Sequence, residues 1–246
     1  YITIYNKDKK CCLYIMTKGQ IIAIGGGGFG RNSNHNKIEQ YILDLTAKNN
    51  PNILFIPTAS AEDKNYIINF YSCFTRLNCN PNHLTFFKRT PRLDSIINKA
   101  DVIYVGGGNT KSMLAVWKEW KLDKLLLKAY NNGKILCGVS AGAICWFEQG
   151  ITDSWASNLN TLDCLGFIKG MACPHYQEEL DRRPTVHKML KIGNCKSGWA
   201  MDGGAAVHFS NGEYIRSIQF YSDSYVYYVS NDNGKINEQK KDMLIL

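Results

Sequence analysis

Lys134-Ile135-Leu136-Cys137-Gly138-Val139-Ser140-Ala141-Gly142-Ala143-Ile144-Cys145-Trp146-Phe147 begins as an apolar run, bends through a glycine-flanked turn and continues as an apolar helical segment. Strand, turn and helix in that order are the unit from which parallel sheets are built. The turn Gly138-Val139-Ser140-Ala141-Gly142 has the form G-x-S-x-G. A serine on a sharp strand-to-helix bend needs neighbours without bulk, so glycine stands two before it and two after. The N–H groups at the start of the helix are unpaired and point toward whatever Ser140 attacks. The competing reading is a βα turn in which glycine and serine merely cap a helix.

Upstream of this elbow the same alternation repeats. Gln20 to Gly25 reads as a buried strand and is followed by a glycine loop and a helix from about Asn36 to Lys48. Strand Asn52 to Pro57, helix Glu62 to Leu77 and strand His83 to Phe87 come next. A helix near Arg92 to Lys99, strand Asp101 to Val105 and one or two helices from Thr110 to Tyr130 lead into the elbow. Short apolar strands separated by helices predict a mostly parallel sheet with helices on both faces, an α/β three-layer sandwich. Beyond Trp199, alternating runs split by Asn211-Gly212 and Asn233-Gly234 predict antiparallel hairpins near the C-terminus.

At 246 residues and 45% hydrophobic, the chain can bury a full core and reads as a single domain over residues 16–246, with residues 1–15 as an N-terminal extension. The net charge of +8 comes from scattered lysines, a solvated face rather than a basic stripe interleaved with aromatics, which argues against a nucleic-acid partner. The nine cysteines are odd in number and follow no metal-ligand spacing, so a reduced, cytoplasmic compartment is expected, with no metal. No apolar run reaches the roughly 18 residues of a membrane span, so no membrane partner is expected.

Two glycine loops close strands. Gly25 to Gly30 matches G-x-G-x-x-G, but Arg31 to Asn36 delays the helix and the next strand ends in Ile56-Pro57-Thr58 without an acid, so a mobile loop beside a cleft is preferred over a dinucleotide site. Val105-Gly106-Gly107-Gly108-Asn109-Thr110 lies at the carboxyl edge, where open α/β sheets place ligands. Gly106, Gly107, Gly108 and Asn109 are therefore candidates to meet a substrate. One of these glycine amides, paired with the N–H of Ala141, would form an oxyanion hole.

A serine nucleophile needs a base, and five histidines are available. His83 opens a strand, His187 lies on an amphipathic helix, His208 has apolar strand neighbours and His35 sits in the glycine-rich loop. His175, in Met171-Ala172-Cys173-Pro174-His175-Tyr176, follows the end of an apolar strand and is the preferred base. The imidazole must be held by an acid. Asp153, Glu148 and Asp202 are candidates, and sequence order does not choose among them.

With Val105 to Thr110, Gly138 to Ala143 and Pro174-His175-Tyr176 in that order, the chain resembles the peptidase E family over about residues 20 to 230. These are serine peptidases that include aspartyl dipeptidases and the related cyanophycinases. The resemblance implies a flavodoxin-like sheet similar to that of class I glutamine amidotransferases, with serine in place of their cysteine. It implies Ser140 as nucleophile, His175 as base, and an oxyanion hole near Gly107 and Ala141. Asp153 falls where the peptidase E branch has a candidate acid; Asp202 stands near that branch's Pro-Glu-Gly, here Asp202-Gly203-Gly204. An arginine after the histidine grips the substrate's N-terminal aspartate in that branch. Arg182 or Arg183, with Arg183 preferred, would do so here, its planar fork matching a carboxylate. The expectation is a cytoplasmic, cofactor-free serine hydrolase whose partner is a small peptide substrate; a homodimer is left open. The alternatives are a hydrolase of another amide or ester, such as a cyanophycin-like isopeptide, and a non-catalytic small-molecule-binding domain of the same fold.

Overall fold

The computed structural model describes residues 19–30, 36–155 and 158–246. The extension expected over residues 1–15, and His35, lie outside them. In chain order the first half comprises β1 (Gln20–Ile24), α1 (Lys37–Asp44), β2 (Asn52–Ile56), α2 (Lys64–Phe74), β3 (Asn80–His83), α3 (Leu93–Lys99), β4 (Val102–Val105), α4 (Thr110–Glu119), α5 (Leu122–Asn131) and β5 (Ile135–Val139). The second half is α6 (Ala141–Ile144), β6 (Phe147–Thr152), β7 (Asn160–Asp163), β8 (Ile168–Cys173), α7 (Arg182–Lys191), β9 (Gly198–Met201), β10 (Ala205–Ser210), β11 (Glu213–Gln219), β12 (Val226–Asp232), β13 (Lys235–Lys240) and β14 (Met243–Ile245).

The fold is α/β and flavodoxin-like. Its main sheet has eight strands in the order β14-β11-β10-β1-β5-β4-β2-β3, and β1, β5, β4, β2 and β3 run parallel. Ile21 to Ile24, Ile53 to Ile56 and Val102 to Val105 are all buried, as strands covered on both faces must be. One face packs on α1 and α2 through Ile38, Ile42, Phe70 and Phe74; the other packs on α3, α4 and α5 through Ile97, Met113, Trp117, Leu122 and Leu126. The spacing of Ile38 and Ile42, and of Leu122 and Leu126, is the i, i+4 stripe that fixes which side of each helix turns inward. Chain direction diverges between β2 and β4, with β3 beyond one and β5 beyond the other. At such a switch point the crevice at the carboxyl ends of the strands is left open.

The structure corrects the sequence reading in three places. The helix after the elbow stops at Ile144, and the chain goes on to form β6, β7 and β8, of which only the end of β8, just before His175, reads as a strand in the sequence. They join β9, β12 and β13 in a second sheet of six strands, ordered β13-β12-β9-β8-β6-β7, so that part of one face of the main sheet is covered by strands and not by helices. Trp199 of β9 and Phe147 of β6 pack edge-on against Phe209 of β10, at 5.5 and 5.6 Å between ring centres, and join the two sheets. The third strand is Asn80–His83, not His83 to Phe87. It pairs with Asn52 to Phe55 at the sheet edge, where Pro81 costs no ladder hydrogen bond on the open side.

Candidate active site

Ser140 and His175 leave different sheets and meet. Ser140 follows β5 of the main sheet with φ 55° and ψ −113°, a conformation that non-glycine residues rarely adopt. Its N–H donates to the Ile24 carbonyl at 3.0 Å, and its own carbonyl accepts from Ala143 and Ile144, which starts α6. Gly142 is required there, since a Cβ on it would lie 2.2 Å from the Val105 carbonyl oxygen. His175 follows β8 of the second sheet, also at positive φ (52°), and its N–H donates to the Gly25 carbonyl at 3.2 Å. His175 Nε2 lies 3.0 Å from Ser140 Oγ, within reach for proton transfer. The ring is buried and lies flat on the glycine loop: a Cβ on Gly26 would come within 2.7 Å of Nδ1.

The acid beside His175 is Glu178, which the sequence reading missed. Glu178 Oε2 lies 3.3 Å from His175 Nδ1 and accepts a hydrogen bond from the Gly203 N–H at 2.8 Å. A proton on Nδ1 directed at this carboxylate leaves Nε2 free to accept from Ser140. Residues 175–179 form one turn, with the Glu179 N–H donating to the His175 carbonyl, so residue i+3 comes round beneath the imidazole. The spacing His-x-x-Glu directly after a strand end was the available signal. It differs from the serine triads whose acid comes from a distant part of the chain.

None of the three acids proposed from sequence touches the imidazole. Asp153 is exposed and pairs with Arg182 at 3.7 Å. Glu148 pairs with Lys196 and accepts from the Gly170 N–H. Asp202 is buried, and burial raises its pKa against the opposing hydrogen bonds from the Tyr225 N–H and Gln177 Nε2. Its part is indirect: it anchors Gln177, the neighbour of Glu178, and introduces Gly203. Tyr176 in the same turn donates to Glu238 of β13 at 2.7 Å, so the turn carrying His175 and Glu178 is fastened from behind.

A cleft of about 410 Å³ opens at the carboxyl ends of the main strands, bordered by Gly27, Gly30, Ser60, Asp63, Tyr66, Gly107, Ser140 and His175. Gly107 faces Ser140: the position of a Cβ on it is 3.3 Å from Ser140 Cβ. Its N–H points at Tyr66 Oη, 3.4 Å away, and burial pushes the Tyr66 phenol up to about 12, so it stays protonated. Ala141, the other expected oxyanion donor, is the first residue of α6, where helical N–H groups have no intrahelical acceptor.

The remaining substrate-contact candidates are used within the fold. Gly106 is buried under the rings of Tyr66 and Phe55. Gly108 packs on Ala59. Asn109 caps α4 by accepting from the Ser112 N–H and holds the Ser154 carbonyl. Arg182 is buried on Glu179 (2.6 Å), and Arg183 bonds Glu238; neither borders the cleft. The other described histidines are likewise engaged, His83 with Tyr71, His187 with Glu238 and His208 with Tyr41 and Gln20. The first glycine loop borders the cleft, as expected, through Gly27 and Gly30, and residues 25–29 of it are packed into the fold, while residues 31–35 lie outside the described ones. Gly25 to Phe29 are buried, the Phe29 N–H donates to Glu39 Oε1 at 2.7 Å, and the Phe29 ring packs among Phe55, Phe70, Phe74 and Tyr104.

The model of peptidase family S51 matches residues 21–217 of the chain. The chain is 46% identical over 220 residues to uncharacterized peptidase YgaJ of Bacillus subtilis (strain 168), covering 89% of this chain and 95% of that one. It is 29% identical over 128 residues to Peptidase E of Haemophilus influenzae, 48% of this chain and 58% of that one. Among solved structures, a peptidase from an acI-B1 Actinobacterium superposes with a TM-score of 0.72 at 18% identity, covering 93% and 96% of the two chains, a likeness of fold.

Proposed function

This chain belongs to peptidase family S51, and on that premise we propose that it is a serine-type hydrolase of short peptides working through Ser140, His175 and Glu178. The observation that carries the proposal is the 3.0 Å approach of His175 Nε2 to a serine held on a strained elbow. His175 takes the Ser140 proton as Oγ attacks the scissile carbonyl, and Glu178 stabilises the imidazolium through Nδ1. The negative charge that develops on the carbonyl oxygen is met by the N–H of Ala141 and by that of Gly107, which exchanges its long 3.4 Å contact with Tyr66 Oη for the substrate. His175 then returns the proton to the leaving amine. In the second half it deprotonates a water that attacks the acyl-enzyme ester and releases the acid, regenerating Ser140. No other group is needed to balance either half.

The test is Ser140→Ala beside the wild type, assayed on a dipeptide panel and with a fluorophosphonate probe. The variant is expected to keep the fold, lose labelling and lose turnover by about 10⁴ to 10⁶. Turnover that persists at the wild-type level in Ser140→Ala rejects the mechanism. The cytoplasm as the place of action belongs to the same proposal. Among the described residues, no helix is long and apolar enough to cross a membrane.

A further inference from the structure

The wall of the cleft that faces Ser140 comes from the turn after β2 and the first turns of α2, and carries Ser60, Asp63, Asn65 and Asn69. Asp63 is the N-cap of α2: its Oδ1 accepts from the Tyr66 N–H at 2.8 Å, and the residue is exposed to the cleft. A helix N-terminus attracts anions, and a carboxylate seated on it cancels that attraction. Apart from His175, Asp63 is the one formally charged side chain among the described residues bordering the cleft. The two arginines that would have welcomed an acidic substrate are turned away, Arg182 onto Glu179 and Asp153 and Arg183 onto Glu238.

Resting on the serine-hydrolase reading above, we propose that this cleft admits a cationic group of the residue being acylated and holds it against Asp63, so that the enzyme favours peptides whose first residue is basic or neutral over those whose first residue adds a side-chain carboxylate, as aspartate does. A substrate carboxylate placed in the cleft meets Asp63 and the neutral side chains Ser60, Asn65 and Asn69. A cation there gains an ion pair, and the amide oxygens of Asn65 and Asn69 are further acceptors. The cleft volume of about 410 Å³ suits one or two residues, so the group nearest Asp63 belongs either to the free α-amine or to a basic side chain of the acyl residue.

The experiment uses the full chain, first labelled with the fluorophosphonate to establish that Ser140 reacts. It then compares kcat/KM for Lys-Leu, Ala-Leu, Asp-Leu, Nα-acetyl-Lys-Leu and Nα-acetyl-Ala-Leu in the wild type, Asp63→Asn and Asp63→Lys. Asparagine retains the helix cap while removing the charge, so a folded Asp63→Asn protein isolates electrostatics. Lys-Leu and Ala-Leu are expected to exceed Asp-Leu in the wild type. Asp63→Asn should narrow that preference by about two- to fivefold, as for a solvent-open ion pair, and Asp63→Lys should reverse it. Loss of cleavage on acetylating both peptides assigns the cation to the α-amine. Retention by acetyl-Lys-Leu alone assigns it to the side chain. Asp-Leu cleaved best by a labelling enzyme, or ratios unmoved by Asp63→Asn, overturns the inference while leaving the mechanism. Absence of both labelling and cleavage overturns the mechanism and the inference with it.

Discussion

Glu178 Oε1 occupies the space that a side chain on Gly203 would enter: a Cβ built on Gly203 would lie 1.8 Å from it. The same glycine donates its N–H to Glu178 Oε2. The carboxylate that faces His175 is therefore seated by a backbone amide and by the absence of a side chain in one residue. Gly203→Ala is expected to push Glu178 off the imidazole and lower kcat about 10- to 100-fold with little change in KM, measured on the best dipeptide. A kcat within twofold of wild type would show that the carboxylate is not needed where it sits.

Glu178→Gln removes the charge while keeping the shape. If the carboxylate fixes the tautomer and stabilises the imidazolium, kcat should fall by about 10² to 10⁴ with the fold intact, by analogy with the loss of the acid from other serine triads. Asp153→Asn and Glu148→Gln, which alter acids remote from the ring, should leave kcat nearly unchanged. Steady-state kinetics of the three variants side by side separates the acid at the imidazole from the acids the sequence suggested.

Arg183 provides a test of the abandoned contact. Its guanidinium bonds Glu238, which also receives Tyr176 and His187. Arg183→Ala should therefore cost about 1 kcal/mol of stability, the range for a partly exposed ion pair, and leave the ratio of Asp-Leu to Ala-Leu cleavage unchanged. Thermal melts and the two kcat/KM values decide it; a selective loss on Asp-Leu would return the arginine to the substrate.

Burial raises the pKa of Glu39 to about 7, against opposing backbone hydrogen bonds including that from Phe29. A carboxyl whose folded pKa lies above its unfolded value of 4.5 binds more protons when folded, so its contribution to stability is full below pH 4.5 and declines as pH rises to about 7. Between those limits it amounts to about 3 kcal/mol. Glu39→Gln should abolish that decline, becoming more stable than wild type above pH 7 and losing the advantage at pH 4. Urea unfolding at a series of pH values reads the difference directly.

Most of the parallel half of the fold was legible because β1, β2, β4 and β5 are almost wholly apolar and its helices amphipathic, so composition and period agree; β3, Asn80-Pro81-Asn82-His83, carries no such run and was placed too late. Ser140 and His175 were legible for a related reason: each stands just past an apolar run, where a strand must end. The second sheet was not, since Phe147-Glu148-Gln149-Gly150-Ile151-Thr152 and Asn160-Thr161-Leu162-Asp163 mix polar and apolar residues without a clean alternation. Partial burial on this sheet blurs the pattern. Glu178 was hidden for a different reason. Its role depends on a positive φ at His175 that curls the next residues into a turn, a conformation no residue type at that position announces. The arginines were ambiguous in the sequence because a guanidinium near a histidine fits a carboxylate on the substrate and a carboxylate on the protein equally well.

The N–H groups of Ser140 and His175 end on Ile24 and Gly25, adjacent carbonyls at the close of β1, although the two residues are delivered by different sheets. The reactive pair thus exists only after the second sheet has settled onto the first. A chain partway through folding, with β1 and β5 already paired, holds Ser140 without His175 beside it and, on the proposed mechanism, has no turnover. During refolding, turnover should return with this last docking step, later than the recovery of secondary structure. Recovery of activity therefore reports the docking of the two sheets, which recovery of secondary structure alone does not.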